Sequence, residues 1–148
     1  MIWKPNVTVA AVIEQSGKFL LVEENTTDGV RFNQPAGHLE PNESILQGVV
    51  RETLEETAYH FKPTSLLGIY RWHHPSKDIT YLRFAFTGSL HGHDQDRPLD
   101  KGIIRAIWLT PDEIRAKAPF TRSPLVLNCI DDYLAGKRYP LDILTHYD

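Results

Sequence analysis

The stretch RETLEETA, Arg51–Ala58, crowds the three glutamates Glu52, Glu55 and Glu56 into little more than one turn of a predicted helix. Glutamates three or four residues apart are neighbours on a helix surface, and each like-charge pair costs roughly 0.2–0.5 kcal/mol. These glutamates also lie late in the helix, where the helix dipole disfavours anions. A divalent cation would relieve the repulsion, and carboxylate oxygens suit Mg²⁺ or Mn²⁺.

The helix that carries this stretch is predicted to run from residue 43 to about residue 57, with Asn42 as its N-cap. On the helical wheel, Glu56 falls at the edge of the apolar face, a position that a solvated run of charges would avoid. Gly48 falls between the other two glutamates, where a side chain would crowd anything that they bind. A merely acidic surface helix is the alternative interpretation, and it explains neither position.

The rest of the chain is dominated by strand-like segments. The turn signal Ser16-Gly17 predicts a hairpin between VTVAAVI and KFLLVEE. Further strands are predicted for SLLGIYRW (65–72), TYLRFAFTGSL (80–90) and IIRAIWL (103–109), with a short extended piece around 31–33.

Two more helices are predicted after these strands. Thr110, Pro111 and Glu113 form the pattern of a capped helix start. The segment SPLVLNCIDDYLAG predicts a last helix that stops at Gly136. Strands with a few helices between and after them indicate an α/β or α+β layered domain, and no linker divides residues 1–148.

The composition is that of an ordinary globular domain. The chain has 148 residues, of which 41% are hydrophobic, and a formal net charge of -3, so no basic field favours nucleic acid or an anionic membrane. The single Cys129 excludes an internal disulfide and is typical of a reducing compartment. The apolar N-terminal run alternates and soon meets Glu14, which predicts neither a signal peptide nor a membrane span. We therefore expect a cytoplasmic protein without a stable nucleic acid or membrane partner.

A wider motif surrounds the glutamates. The segment GHLEPNESILQGVVRETLEETAY, residues 37–59, resembles the Nudix box, GX5EX7REUXEEXGU with U an aliphatic residue. Three positions depart from the box: Thr53 and Tyr59 replace aliphatic residues, and Ala58 replaces glycine. If position 58 has a positive φ, alanine costs on the order of 1 kcal/mol there. The residues that match in type and spacing are Gly37, Glu43, Arg51, Glu52, Glu55 and Glu56.

The resemblance to the Nudix family implies a fold and a metal site. The fold would be an α/β/α sandwich with a mixed β-sheet and a catalytic loop-helix-loop. Arg51 would form a structural ion pair with Glu43, for which a simple surface salt bridge is the alternative. The catalytic carboxylates, which are also the metal ligands, would be Glu52, Glu55 and Glu56, with the main-chain carbonyl of Gly37 as a further ligand that a glycine turn would aim.

The flanking segments KPNVTVAAVI, FNQPAGHLE, YLRFAF, RSPLV and GKRYPL are similar to a bacterial phosphatase subgroup of the family. This resemblance implies Mg²⁺-dependent release of orthophosphate from nucleoside tri- and diphosphates, and from thiamine or hydroxymethylpyrimidine pyrophosphate. The substrate would be a small molecule, and we expect a monomer or weak dimer. An ADP-sugar or dinucleotide pyrophosphatase and a non-catalytic nucleotide-binding module remain alternatives.

The general base is open between two locations. One is Glu52 within the helix, which we favour. The other is an acid in the loop HGHDQDRPLDKG, where Asp96 and Asp100 are available. Plain solvation is the alternative interpretation of the loop acids.

Cationic and aromatic side chains are candidates for substrate binding. Arg83 and Arg122 have the donor geometry to bind phosphate oxygens bidentately, although a lone strand arginine is often only a surface residue. Trp72 is the main candidate for stacking on a base, and packing in the core is its alternative role. His73, His74 and Phe32 are further candidates for such an aromatic wall.

Overall fold

The computed structural model describes all 148 residues, in eight strands and three α-helices. No helix in it is long and apolar enough to cross a membrane. The elements, in chain order, are β1 Asn6–Val12, β2 Glu14–Gln15, β3 Lys18–Thr26, β4 Gly29–Asn33, β5 Ala36–His38, α1 Ile45–Thr57, β6 Tyr59–His73, β7 Thr80–His93, β8 Ile103–Leu109, α2 Pro111–Ala116 and α3 Leu125–Leu134, with 3-10 turns at Ala118–Phe120 and Leu141–Ile143.

The strands form two sheets. The first is mixed and has the order β5-β1-β7-β6, in which β1 runs parallel to β7 and the other pairs are antiparallel. In the second sheet β3 pairs antiparallel with β2, β4 and β8. The antiparallel pairing of β5 with β1 places β5 at the edge of this sheet, where it contacts α1.

Helices cover both sides of the strands. Val9 and Ala11 of β1 pack in the same apolar cluster as Val49 of α1. The alternate residues Ala10 and Val12 pack in the cluster that contains α2 and α3. Because successive strand side chains point to opposite faces, these two clusters are the two inner layers of an α/β/α sandwich, and the predicted fold class is confirmed.

Helix α1 begins later than predicted. Its N-cap is Ser44, whose hydroxyl oxygen accepts from the Gln47 backbone N–H at 3.0 Å, while the Gln47 side chain accepts from the Ser44 N–H at 2.8 Å. The prediction of Asn42 as N-cap was wrong, because Asn42 has φ 66° and belongs to the preceding turn. At the other end Ala58 adopts φ 62° and ψ 12°, so the condition under which alanine is strained at this position is met.

The predicted hairpin is present but smaller than expected. Ser16 and Gly17 have φ of 53° and 80° and join Gln15 to Lys18. Most of VTVAAVI, however, pairs with β7 and β5 in the other sheet. Both partners are distant in sequence, so a local pattern could not indicate them. The capped start of α2 and the last helix, α3, are confirmed. Strand β5 was not predicted.

Candidate active site

Three carboxylates meet beside α1. Carboxylate oxygens of Glu52, Glu55 and Asp100 all lie within 4.8 Å of one another. Asp100 comes from the loop between β7 and β8, and its backbone N–H donates to the Glu55 carbonyl at 2.9 Å. Burial and the neighbouring Glu55 raise the pKa of Asp100. Asp96 of the same loop lies exposed and outside this cluster.

Glu56 lies next to this cluster rather than in it. Its side chain is 9% exposed, and one oxygen accepts from the Ala36 backbone N–H at 2.9 Å. Burial raises the pKa of Glu56 to about 9, and the nearby carboxylates of Glu52, Glu24 and Asp100 add to the rise. A buried carboxylate with a raised pKa is stabilised by binding either a proton or a cation.

Gly37 makes room for Glu52. A Cβ atom built on Gly37 would collide with the carboxylate of Glu52, so the missing side chain lets that carboxylate lie against strand β5. Gly37 does not have a positive φ. The expectation that glycine serves a turn here was therefore wrong, and close approach is the reason for it.

Gly48 has a different neighbour from the one predicted. A Cβ atom on Gly48 would lie 2.9 Å from an Oε2 of Glu43 and 3.1 Å from a methyl carbon of Leu39. The glycine therefore admits the Glu43 carboxylate and the chain before the helix, and not a ligand of the glutamates.

Arg51 links the start of the helix to the acidic cluster. Its Nε and one terminal nitrogen donate to the two oxygens of Glu43 at 2.8 and 2.9 Å, and the latter nitrogen also donates to the His38 carbonyl at 3.1 Å. The other terminal nitrogen donates to Glu52 at 2.8 Å and approaches Glu55 at 3.3 Å. These carboxylates raise the pKa of Arg51. The guanidinium thus has carboxylate or carbonyl partners on every nitrogen.

The carboxylates border one open cavity of about 860 Å³. Glu52 and Glu56 line one part of it, and Arg83 and Arg122 line another. His38 is exposed and lies at the rim, where its ring is 3.4 Å from the Asn6 amide. The structure therefore brings the acidic helix and both predicted cations to the same cavity.

The two arginines differ in their surroundings. Arg83 is 5% exposed, and its terminal nitrogens donate to the amide oxygens of Gln34 at 2.8 Å and Asn33 at 2.9 Å. Arg122 is more exposed and donates to Glu24 at 3.1 Å. Burial raises the pKa of Glu24, and the contact with Arg122 opposes the rise.

One aromatic wall lines the cavity. Trp72 stacks against Tyr81 of the neighbouring strand with ring centroids 5.9 Å apart and planes 18° apart, and His74 lies 5.2 Å from Trp72. His73 does not line the cavity and contacts Asp78 instead. Sequence reasoning missed Tyr81, although its spacing of two residues from Arg83 puts both side chains on one face of β7.

Phe32 lies in the apolar core, where Lys117 packs over its ring at 5.1 Å. Its prediction as part of the aromatic wall was wrong, because the alternation of β4 turns this side chain toward α2 and α3 rather than toward the cavity.

The acidic part of the cavity fits a divalent cation. Glu52 and Glu56 offer carboxylate oxygens to the cavity, and the cluster that Glu52 forms with Glu55 and Asp100 contains no histidine or cysteine. Oxygen ligands without nitrogen or sulfur favour Mg²⁺ and Mn²⁺ over zinc. Because Gly37 has no side chain, the carboxylate of Glu52 can lie directly against strand β5.

A comparison with protein families decides the assignment, since the NUDIX domain model matches residues 3–129. The chain belongs to the Nudix hydrolase family. The Nudix box, residues 37–59, begins in β5, continues through the loop before α1 and includes the whole of α1. This segment corresponds to the loop-helix-loop that the resemblance implies.

Known Nudix proteins cover nearly the whole chain. "Phosphatase NudJ" of Shigella boydii is 39% identical over 146 residues, which are 99% of this chain and 94% of that protein. A solved Nudix hydrolase from Nitrosomonas europaea is 60% identical with a TM-score of 0.95 and covers 97% of this chain and 98% of its own. An ADP-ribose pyrophosphatase from Streptococcus suis, 20% identical with a TM-score of 0.66 over 98% of this chain and 97% of its own, shares the fold alone.

The departures from the Nudix box are accommodated by packing. Thr53 is fully buried, and its hydroxyl donates to the Val49 carbonyl at 2.8 Å. Tyr59 packs edge-on against Trp108 with ring centroids 5.9 Å apart. Ala58 carries the left-handed backbone that a glycine would adopt without strain. None of the three substitutions changes a carboxylate of the cavity.

Proposed function

We propose that this protein is a Mg²⁺- or Mn²⁺-dependent phosphatase that releases orthophosphate from nucleoside tri- and diphosphates. Thiamine and hydroxymethylpyrimidine pyrophosphates are further candidate substrates, because they carry the same diphosphate group. The observation that carries the proposal is that Glu52 and Glu56 line the same cavity as Arg83 and Arg122. The extensive identity with proteins named Phosphatase NudJ supports the terminal phosphate as the point of cleavage.

The metal would be held by Glu52, Glu55 and Glu56 together with the main-chain carbonyl of Gly37. Asp100 adds a carboxylate beside Glu52 and Glu55. When bound, a divalent cation neutralises charge on the phosphates and lowers the pKa of water. The raised pKa of Glu56 supports its assignment, since a buried carboxylate with acidic neighbours needs a cation in order to ionise at neutral pH.

Glu52 is the proposed general base. Its carboxylate borders the cavity and receives a hydrogen bond from Arg51 at 2.8 Å. Burial raises the pKa of Glu52, and the contact with Arg51 opposes the rise. The proton of the attacking water would pass to Glu52, while Arg51 and Glu43 act as a structural pair that fixes the helix.

The substrate's inner phosphates would lie against the arginines. Arg83 is fixed in the wall, while Arg122 can exchange its contact with Glu24 for a phosphate oxygen. Trp72, backed by Tyr81, offers a flat apolar face on which a base or a pyrimidine ring can stack. This arrangement sets the register of the phosphates, so that the outermost phosphorus faces Glu52.

A product assay tests the proposal. Purified protein is incubated with a nucleoside triphosphate, a nucleoside diphosphate and an ADP-sugar, each with Mg²⁺ and with EDTA, and all products are quantified. We expect orthophosphate from the first two substrates with Mg²⁺ and no turnover in EDTA. Pyrophosphate and monophosphate as products would favour an internal pyrophosphatase, binding without turnover would favour a binding module, and full activity in EDTA would refute the metal site.

A further inference from the structure

The charge of Arg83 has no counter-ion within the protein. It is the only lysine or arginine among the buried residues, and no carboxylate lies within ion-pair distance of its guanidinium. Its partners are the amide oxygens of Asn33 and Gln34 and, at 3.7 Å, the sulfur of Cys129. Burial of an unpaired charge is unfavourable, so this arrangement stabilises the protein less than an ion pair would.

Gln34 fixes one side of this cation. The residue is 1% exposed, and its Nε2 donates to the Val126 carbonyl of α3 at 2.9 Å. Since that nitrogen is engaged, the amide oxygen must face Arg83, which can only donate. Gln34 follows β4, so this contact ties the guanidinium to the end of β4 and to α3.

Asn33 fixes the other side. Its Oδ1 accepts from Arg83 at 2.9 Å, and its Nδ2 makes no hydrogen bond within the protein. Both Asn33 and Arg83 line the cavity, whereas Gln34 lies behind them. Two neutral acceptors thus orient a cation at the cavity wall without neutralising it.

We infer that Asn33 and Gln34 are positioning residues that orient the guanidinium of Arg83 without pairing its charge, so that it binds a diphosphate group from the cavity. The ligand class is the diphosphate moiety that nucleoside diphosphates and the pyrophosphates of small alcohols share. This inference rests on the proposed function for the identity of the ligand. The bound diphosphate would supply the negative counter-ion that Arg83 lacks within the protein. The interaction is strong because the guanidinium is already desolvated and oriented.

The substitution Asn33→Asp tests the inference, because it converts a neutral acceptor into a carboxylate at the same position and breaks no hydrogen bond. The probe is methylenediphosphonate, a diphosphate in which a methylene group replaces the bridging oxygen, measured by calorimetry with Mg²⁺. We expect Asn33→Asp to weaken its binding by about 10- to 100-fold, as for loss of a charge-assisted hydrogen bond. The melting temperature without ligand should rise, since Arg83 gains a counter-ion.

Asn25→Asp is the matched control. Asn25 borders the same cavity but is exposed and has no contact with Arg83, so the same change should weaken binding by less than about 3-fold, as expected for a screened surface charge. An effect of Asn33→Asp no larger than that of Asn25→Asp would overturn the inference.

A double-mutant cycle excludes direct repulsion of the ligand by the new carboxylate. Arg83→Gln should weaken binding as much as Asn33→Asp and leave the melting temperature within a few degrees of wild type. In the Arg83→Gln background, Asn33→Asp should add less than about 3-fold, because residues that act through one group are not additive. A full additional effect would overturn the inference, and Arg83→Gln alone tests it if Asn33→Asp does not fold.

Binding of the probe separates this inference from the proposed function. If the wild-type protein binds methylenediphosphonate through Arg83 but releases no orthophosphate from nucleotides, only the proposed function fails. If it releases orthophosphate while Asn33→Asp and Arg83→Gln retain wild-type affinity, only the inference fails.

Discussion

At the scale of single residues, Glu56 has the most perturbed ionisation of the cavity. Its pKa of about 9 arises mainly from burial, and its neighbours Glu52, Glu24 and Asp100 are all acidic. The folded protein therefore binds a proton at Glu56 that the unfolded chain releases near pH 4.5. Stability from this group is present below pH 4.5 and declines as the pH rises through about 9.

This linkage gives a prediction for the metal-free protein. In EDTA the free energy of unfolding of the wild type should fall between about pH 5 and pH 9, because the raised pKa makes folding favour the protonated carboxyl. The Glu56→Gln variant, which cannot ionise there, should show a flatter profile and greater stability at pH 8. Thermal unfolding across this range measures both proteins. Parallel profiles would show that Glu56 has an ordinary pKa.

Ala58 is strained in the folded state, which predicts a stabilising substitution. Relief of the left-handed conformation by Ala58→Gly is worth about 1–2 kcal/mol, and loss of the buried methyl group offsets about 0.8 kcal/mol of it. We expect a net gain of about 0.2–1.2 kcal/mol and a melting temperature about 0.5–5 °C higher. Ala135→Gly is the control, since Ala135 has φ -73° and glycine there should not stabilise.

At the scale of elements, helix α1 is fixed to its preceding loop by Arg51 and Glu43. The side chains of this pair are only 21% and 12% exposed, so the interaction exceeds that of an ordinary surface salt bridge. Arg51→Ala should therefore lower the free energy of unfolding by about 2–4 kcal/mol and reduce the rate indirectly.

Chemical denaturation and kinetics distinguish the structural role of Arg51 from a role in substrate binding. Arg51→Lys, which keeps the charge but loses the bidentate contact, should be intermediate in stability. If Arg51→Ala keeps its stability but binds substrate far more weakly, then Arg51 contacts phosphate and the structural assignment is wrong.

The loop between β7 and β8 supplies an acid to the site, and this arrangement predicts a ranking of variants. Glu52→Gln should lower kcat by at least about 10²-fold, as for loss of a general base. Asp100→Asn should lower it less, because the Glu52 carboxylate remains. The control Asp96→Asn, in the same loop but outside the carboxylate cluster, should leave kcat unchanged. A larger loss for Asp100→Asn than for Glu52→Gln would move the general base to the loop.

Elements with strong local signals could be predicted from the sequence. The capping residues Thr110 and Glu113 marked the start of α2 correctly, and β8 has the predicted bounds. The N-cap of α1 was misplaced because Asn42 and Ser44 both suit a cap, and the capping-box pattern of Ser44 with Gln47 was overlooked. The backbone conformation of Asn42 also excludes it. Strand β5 is three residues long and forms through its partner β1, so it has no periodicity of its own.

At the scale of the whole molecule, the cavity exists because distant segments meet. The glutamates of α1 were recognisable in the sequence because they are local to one helix. The entry of Asp100 into the cluster, the orientation of Trp72 toward Tyr81 and the contact of Arg83 with Gln34 depend on packing between elements. Such contacts leave only weak signals in a single sequence, such as the shared strand face of Tyr81 and Arg83.

The sandwich holds the acidic residues and Arg83 on different elements, and this arrangement determines which phosphate bond is cleaved. The acidic cluster lies on α1 and its neighbouring loop, whereas Arg83 belongs to β7 and is held from β4 and α3. These elements are fixed relative to one another, so the distance between cation and base sets which phosphorus the water reaches. A shift of the substrate by one phosphate would redirect the attack to another bond.

Hydrolysis of a nucleoside triphosphate in ¹⁸O-labelled water, with Mg²⁺ present, tests this account most directly. The products are separated and the label is located by mass spectrometry. Attack at the terminal phosphorus, as proposed, places the label in orthophosphate and leaves the nucleoside diphosphate unlabelled. Label in the nucleoside diphosphate, or formation of monophosphate and pyrophosphate, would contradict it.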